Sequence, residues 1–177
     1  MADFASAFAA TMKAEGGYVN DPQDPGGETY KGVARKRNSK WDGWVIIDLA
    51  KQQNNFPANL DSNTVLQEKI KVFYETNYWD KVQGDNIDNQ RIAESIFDFA
   101  VNAGPIASTK LAQITVGAKP DGVIGPVTLN KINNEDPRLF LSQFALHKIA
   151  RYMHICKNRK ASRKFLYGWI KRTLEVI

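Results

Sequence analysis

Residues 15–33 read EGGYVNDPQDPGGETYKGV, a glycine- and proline-rich stretch that follows a short amphipathic segment. Apolar side chains recur at helical spacing in residues 3–14, which predicts a first helix. Gly16 and Gly17 are typical of a helix stop. Glu15 is then expected at the helix C-terminus, where the helix dipole disfavours a carboxylate by up to about 1 kcal/mol and favours its protonated form. A protonated carboxyl in that position suits a general acid.

The rest of the chain predicts a mostly α fold. Residues 16–40 form a long loop rich in turn signals, with a small hairpin around Val33. Pro126 and Pro137 suit the first turns of two helices, and Asn59 to Ser62 is expected to cap another. Periodicity and these signals place helices at 44–53, 63–78, 89–102, 106–116, 127–133, 137–157 and 162–175.

Length and composition limit the class of protein. The 177 residues suit about one domain, and no run approaches the roughly 18 apolar residues of a membrane span. The N-terminus lacks a basic region and a cleavable signal, so we expect a chain made in the cytoplasm that needs export or a holin-type release to act outside. The single cysteine, Cys156, excludes an intrachain disulfide and is expected to be a buried thiol. We expect a monomer.

The charge is concentrated near the C-terminus. Residues 148–177 contain nine Lys and Arg residues against one acid, Glu175, in a chain whose net charge is +5. Such a basic region favours an anionic polymer or surface as partner, and an ordinary solvated helix face explains it equally well. Aromatic platforms of the kind that bind single-stranded nucleic acid are not evident, so no specific nucleic acid is expected.

Four carboxylates in and beside the glycine-rich stretch could carry chemistry: Glu15, Asp21, Asp24 and Glu28. A glycosidase needs an acid to protonate the leaving oxygen, and an inverting one needs a group that positions water on the opposite face. Glu15 suits the first role and Asp24 the second. By pattern alone, a role in capping turns explains these acids better. No calcium loop and no zinc helix is present in the sequence, so we expect no metal and no cofactor.

Several motifs together resemble glycoside hydrolase family 108, a family of small lysozyme-like N-acetylmuramidases also known as secretion activators. The resemblance begins with the stretch at 15–33 and continues through NYWD at 77–80 and FDFAVNAG at 97–104. It ends in DGVIGPVTL at 121–129, which is similar to the family's predicted peptidoglycan-binding region. The resemblance implies a lysozyme-like catalytic region at 1–95 and a peptidoglycan-binding region at 96–177, packed as one globular unit.

The resemblance further implies a peptidoglycan hydrolase that cleaves the β-1,4 bond between N-acetylmuramic acid and N-acetylglucosamine. The family's catalytic glutamate corresponds to Glu15. Phage-type lysozymes place an Asp after eight intervening residues, which matches Asp24, and a Thr after five more. Thr29 lies one residue before that position, so Asp24 and Thr29 are candidates, with Asp21 or Glu28 as alternatives for the second group.

Four further residues are candidates for substrate binding, because aromatic rings suit sugar faces and amides suit N-acetyl groups. They are Tyr18, Tyr30, Trp79 and Asn102. A packing role for Trp79 and a helix-capping role for Asn102 remain open, and the Asp121-Gly122 turn is expected to be structural.

Three other functions remain open from the sequence. A non-catalytic wall-binding or secretion-assisting protein would work without Glu15. A chitinase-like enzyme would cleave polymers that lack muramic acid. A nucleic-acid-binding protein would retain DNA in a salt-sensitive manner and show no affinity for the wall. The sequence does not separate a phage endolysin from a host protein.

Overall fold

The computed structural model describes residues 1–12, 16–21 and 26–174. Within these residues the chain is mostly α, as the sequence predicts, with eight α-helices and one small sheet. No helix in the described part is long and apolar enough to cross a membrane. The helices are α1 Phe4–Met12, α2 Gly43–Ala50, α3 Thr64–Tyr74, α4 Gln90–Ala103, α5 Pro105–Thr115, α6 Pro126–Asn133, α7 Pro137–Asn158 and α8 Leu166–Leu174.

The chain divides into two compact units, one formed by Phe8–Thr76 and the other by Met1–Ala7 with Asn77–Ile177. These bounds differ from the boundary between residues 95 and 96 that the family resemblance implies, and that boundary between a catalytic and a peptidoglycan-binding region stays a prediction. Helix α1 contributes its first residues to one unit and its last residues to the other.

A three-stranded antiparallel sheet organises the smaller unit. Its strands are β1 Tyr18–Val19, β2 Thr29–Tyr30 and β3 Val33–Ala34, in that spatial order. Tyr30 pairs with Val33, and the two residues between them, Lys31 and Gly32, both have positive φ angles of 42° and 79°. Two positive φ values in a two-residue loop are typical of a type I′ turn, which matches the twist of a hairpin. The hairpin expected around Val33 is therefore present.

Helix α4 lies at the centre of the larger unit and packs against α5 and α7. The apolar face predicted from its sequence is buried, with every member at most 1% exposed. Its members are Ile92, Ala93, Ile96, Phe97 and Ala100. Phe140 and Phe144 of α7 are fully buried in the same unit.

Local capping explains most helix starts. The side chains of Asn63, Asn89 and Asp136 each accept a hydrogen bond from the backbone N–H three residues later, and a proline begins α5, α6 and α7. The cap expected within 59–62 is wrong by one residue, because Asn63 fills the role while Ala58–Leu60 forms a 3₁₀ turn.

Two predicted helices differ from the structure in their detail. The helix expected over 63–78 changes at Tyr74 into a π-helical turn, Glu75–Trp79. The last helix, expected over 162–175, begins as a 3₁₀ segment, Lys160–Phe165, before α8. Periodicity alone does not separate these neighbouring helical forms.

The Asp121-Gly122 turn is fixed by one buried glutamine. Gln113 Nε2 donates to Asp121 Oδ1 at 2.8 Å and to the carbonyl oxygen of Val123 at 3.0 Å. Gln113 Oε1 accepts from the N–H of Gly122 at 2.9 Å. These bonds satisfy a buried amide within the fold, which is consistent with the structural role expected for the turn.

Candidate functional site

Two of the predicted catalytic residues, Glu15 and Asp24, lie outside the described residues. Along the chain, Glu15 is three residues beyond the end of α1 at Met12 and three before the start of β1 at Tyr18. The described part of the region between α1 and α2 consists of the sheet and the side chains that hold it.

Thr29, the third predicted catalytic residue, lies in the middle strand of the sheet. It pairs with Val19 of β1 and Ala34 of β3. Its side chain is half-buried, and Oγ1 donates to the carbonyl oxygen of Gly27 at 3.1 Å. Since the hydroxyl also has lone pairs that accept, Thr29 is able to receive a hydrogen bond from water while it holds the turn at Gly27.

Tyr18 is the predicted substrate-binding residue that the described structure leaves half exposed. Its ring packs edge-on against Phe56, with centroids 4.7 Å apart. Partial burial, together with a hydrogen bond to the Glu28 carboxylate, raises the pKa of the Tyr18 hydroxyl. The phenol therefore stays protonated and donates to Glu28.

Glu28 is the centre of a charged network at the start of β2. Its side chain is only 11% exposed, and each carboxylate oxygen faces a different cation. Arg35 Nη1 lies 2.8 Å from Oε2, and Lys51 Nζ lies 2.6 Å from Oε1. Asp48 closes the network, because Arg35 Nη2 lies 2.5 Å from its Oδ2 and Lys51 Nζ lies 2.9 Å from its Oδ1.

The network keeps both acids ionised. Burial by itself would raise the pKa of the Glu28 carboxyl, but hydrogen bonds from Lys51, Arg35 and Tyr18 outweigh burial and lower it. Hydrogen bonds from Arg35 and Lys51 hold the pKa of Asp48 well below its usual range. A carboxylate that stays ionised does not supply a proton to a leaving group. Glu28 is therefore poorly suited to act as the general acid and well suited to hold the sheet.

Helix α2 and the network are joined through Arg35. Its guanidinium lies 5.1 Å from the centroid of the buried Trp44 ring, and Asp48 follows Trp44 by one turn on the same helix. The backbone N–H of Arg35 also donates to the carbonyl oxygen of Glu28 at 2.7 Å. Strand β3 is thereby tied both to β2 and to α2.

Tyr30 and Trp79 lie in the core, where their rings have no surface to offer a sugar. Tyr30 is 1% exposed, and its hydroxyl bonds with Gln67 and Asp61. Trp79 is 0% exposed, and its indole N–H donates to Asp85 at 2.8 Å. We therefore leave both out of the proposed substrate site, and for Trp79 the packing role that the sequence left open describes its position.

Asn102 is exposed near the end of α4. Its amide nitrogen donates to the carbonyl oxygen of Asp98 at 2.8 Å. The helix ends one residue later at Ala103, and Gly104 follows with a φ of 90°. Gly104, and not Asn102, is thus the capping residue. Asn102 belongs to the larger unit and Tyr18 to the smaller.

Sequence reasoning missed Arg35, Asp48 and Lys51. One signal was available, because Asp48 is the only charged residue in the otherwise apolar helix GWVIIDLA. A charge in such a helix is expected to have a partner. The identity of that partner depends on the hairpin, which the sequence predicts only in outline.

Comparisons with known proteins identify the family of the chain. A family model described as Glycosyl hydrolase 108 matches residues 8–104, and one described as Predicted Peptidoglycan domain matches residues 103–174. Among solved structures, the chain is similar to the structure of Brucella abortus SagA, with 30% sequence identity and a TM-score of 0.73. That match covers 98% of this chain and 90% of SagA. No curated protein matches the chain.

Proposed function

The chain belongs to the Glycosyl hydrolase 108 family, and we propose that it is an N-acetylmuramidase. It would cleave the β-1,4 bond between N-acetylmuramic acid and N-acetylglucosamine in peptidoglycan. The observation that carries this proposal is the pair of adjoining family matches, a glycosyl hydrolase over 8–104 and a peptidoglycan domain over 103–174. A chitinase-like or nucleic-acid-binding function gives no reason for the second match.

Glu15 is the proposed general acid. In the reaction, its carboxyl donates a proton to the glycosidic oxygen as the bond to the anomeric carbon breaks, and positive charge develops on the sugar ring. A water then attacks the anomeric carbon and gives up a proton to a second group. Glu28 does not compete for the role of acid, because its pKa is lowered and both of its oxygens face cations.

Asp24 and Thr29 are the proposed groups that orient the attacking water. Asp24 would accept the proton of the water, and the hydroxyl of Thr29 would hold the water by a hydrogen bond. Tyr18 is the proposed contact for the apolar face of a sugar ring, since its ring is half exposed at the edge of the same sheet. No metal or cofactor enters this mechanism.

The proposed setting is the cell wall outside the cytoplasm, reached by export or by holin-type release. Peptidoglycan strands are the partner, and the protein would act as a monomer. Lysis by a phage endolysin and wall remodelling by a host secretion activator both use this same reaction.

Mass spectrometry of the products from purified peptidoglycan tests the proposal. The native protein is expected to release fragments with reducing N-acetylmuramic acid ends. Glu15→Gln is expected to release none, because the amide cannot donate the proton. A loss of at least about a hundredfold is expected, as is usual for removal of a general acid.

Glu68→Gln is the matched control, because it makes the same chemical change at an exposed position on α3. It should release fragments at the native rate. Reducing N-acetylglucosamine ends would contradict the proposed bond. If the native protein and Glu15→Gln both bind the sacculus and neither releases fragments, the protein is a wall-binding protein and the catalytic proposal is wrong.

A further inference from the structure

A small pocket lies on the larger unit between the end of α4, the second half of α7 and α8. Its volume is about 140 Å³. The residues whose side chains line it are Asn102, Arg151, Tyr152, Ile155, Trp169 and Arg172. The proposed cleavage uses none of these residues, and the sequence singles out one of them, Asn102, as a candidate substrate contact.

One wall of the pocket is aromatic. The ring centroids of Tyr152 and Trp169 lie 5.0 Å apart at an interplanar angle of 30°, and Phe165 stacks on Trp169 with centroids 5.9 Å apart. Ile155 adds an aliphatic surface. A cavity of about 150 Å³ accommodates benzene, so this pocket fits a small group and not a whole N-acetylated sugar.

The polar part of the pocket carries positive charge from two arginines. Arg151 is exposed, and within the described residues no hydrogen bond or ion pair engages its guanidinium. Arg172 Nη2 lies 2.7 Å from Asp98 Oδ1, so its charge is balanced within the fold. The buried ammonium group of Lys148 adds a further positive charge near Asp98 and Arg172. The pocket therefore favours an anion, and Arg151 is the group that can bind it with two parallel hydrogen bonds.

Asn102 adds a hydrogen-bond acceptor. Its amide nitrogen is used by Asp98, which leaves Oδ1 to accept from a ligand N–H. The pocket thus offers a site for a carboxylate, an apolar wall for a short side chain and an acceptor for an amide N–H. A peptide that ends in a small apolar residue carries these three groups together.

We propose that this pocket binds the carboxyl-terminal end of a peptidoglycan stem peptide, a D-alanine with a free carboxylate. A terminal alanine is about the size of the benzene that fits a pocket of this volume. The identity of the peptide rests on the proposed function, since peptidoglycan supplies such ends beside the glycan strand. Binding here would hold the wall without occupying the site of cleavage.

The test measures binding of N-acetyl-D-alanyl-D-alanine to the full chain by NMR, with the indole N–H of Trp169 as the local signal. The same dipeptide with a C-terminal carboxamide tests the need for the carboxylate. The acid is expected to bind at least about tenfold more tightly than the amide, because a charge-assisted bidentate contact is lost. Equal affinity for the two would overturn the proposal, and so would acetate that binds as tightly as the dipeptide.

Arg151→Gln is expected to weaken binding of the acid at least about tenfold and to leave affinity for the amide unchanged. Arg138→Gln is the matched control, since it makes the same change at an exposed position near the start of α7, outside the pocket. A loss as large in Arg138→Gln would point to general electrostatic attraction and overturn the proposal.

The dipeptide has no glycosidic bond, so its binding and the release of wall fragments are independent measurements. Fragment release by the native protein without dipeptide binding would refute the pocket and leave the muramidase proposal intact. Dipeptide binding without fragment release would support the pocket and refute the muramidase. In digestion of sacculi, Arg151→Gln should raise KM and leave kcat near the native value, whereas a general loss of structure would lower kcat.

Discussion

Glu28 shows how a single carboxylate can link the sheet to helix α2. Arg35 directly follows β3 and Lys51 directly follows α2, and both face the same carboxylate. Tyr18 of β1 donates to it as well. Strand β1 and the residues that adjoin β2, β3 and α2 are thus joined at one side chain.

We expect Glu28→Gln to lower the free energy of unfolding by about 1–3 kcal/mol at pH 7, because a largely buried ionic contact is replaced by a neutral amide. The folded-state pKa of Glu28 is lowered from 4.5, so the stability that it contributes is present above pH 4.5. It is lost as pH falls from there through the folded pKa. Urea denaturation at pH 7 and pH 3 measures both effects.

The exposed Glu68→Gln serves as the control for this measurement and should match the native protein at both pH values within about 0.5 kcal/mol. A Glu28→Gln variant as stable as the native protein at pH 7 would show that the network contributes nothing to folding. A native-minus-variant difference as large at pH 3 as at pH 7 would contradict the lowered pKa assigned to Glu28.

Lys148 presents the opposite case, a charge whose burial costs stability. It is 2% exposed, donates to Ser95 at 3.0 Å and lies 4.6 Å from the centroid of Phe144. Burial lowers the pKa of Lys148 to about 8, although Asp98 attracts the charge and opposes the shift. Arg172 acts in the same direction as burial.

Between pH 8 and 10.5 the unfolded chain holds a proton that folded Lys148 releases, so stability rises with pH over this window. Lys148→Met lacks this titration. We expect the variant to match or exceed the native protein at pH 7, and its advantage to fall by up to roughly 3 kcal/mol by pH 10.5. The measurement is the difference in unfolding free energy between native and variant, which cancels the titration of Tyr152 and other shared groups.

Lys157→Met, an exposed change on the same helix, should show a difference from native that does not depend on pH over this window. A pH-independent difference for Lys148→Met as well would mean that Lys148 is charged in the fold throughout, and the assignment of its lowered pKa would be wrong.

At the scale of single residues, the sequence predicts the burial of a side chain only where neighbours along the chain determine it. Cys156 is buried as expected, because its apolar helical neighbours are local information. Tyr30 and Trp79 were expected at the substrate, yet they are buried by contacts with Gln67 and Asp85. To predict those contacts one must know where the hairpin and the π-helical turn lie in the fold. The spacing of residues along the sequence does not give that information.

At the scale of elements, two glycine-proline pairs begin helices in different backbone states. Gly104 precedes α5 with φ 90° and ψ 148°, whereas Gly125 precedes α6 with φ −102° and ψ −178°. Neither position has an atom within 4 Å of an added Cβ. An alanine at either position would meet no neighbouring atom, so steric crowding is the same for both. Only Gly104 has backbone angles that alanine avoids, so the two substitutions differ in backbone strain alone.

We expect Gly104→Ala to lower the free energy of unfolding by about 1–3 kcal/mol, since alanine is strained at that φ and ψ. Gly125→Ala should be neutral or stabilise by up to about 1 kcal/mol, since it restricts the unfolded chain without strain. Thermal and urea denaturation of both variants measure the contrast. Equal effects of the two substitutions would contradict the positive φ of Gly104.

The sequence predicts the start of a helix well where a nearby residue determines it, and poorly where a distant contact does. Helices α4 to α7 begin within one residue of prediction, because Asn89, Asp136 and the three prolines act on their own helix starts. The change from α3 to a π-helical turn at Glu75 has no local capping signal. It places Trp79 against Phe4 and Phe97, which lie far away in sequence.

At the scale of the whole molecule, the structure refines the basic C-terminal region that composition reveals. Of its nine cations, Lys148 is buried and Arg172 is paired with Asp98. Seven remain exposed among the described residues. They are Arg151, Lys157, Arg159, Lys160, Arg163, Lys164 and Lys171. The surface is therefore still strongly positive, and an anionic wall would attract it.

If this surface steers the enzyme to the wall, the initial rate of lysis should fall as NaCl rises above about 0.1 M, where the Debye length is about 10 Å. Replacing Lys157, Lys160 and Lys164 together by Gln should lower the rate at low salt and flatten the dependence on salt. The control replaces three exposed lysines elsewhere, Lys81, Lys110 and Lys119, and so reaches the same net charge.

The two triple variants separate the location of charge from its total. Steering by a localised surface predicts that only the first variant loses its salt dependence, because attraction within a Debye length depends on which face approaches the wall. Equal losses in both would mean that net charge alone governs the encounter. A native rate that does not change with salt would remove any steering role from the basic region, and its lysines would then be an ordinary solvated face.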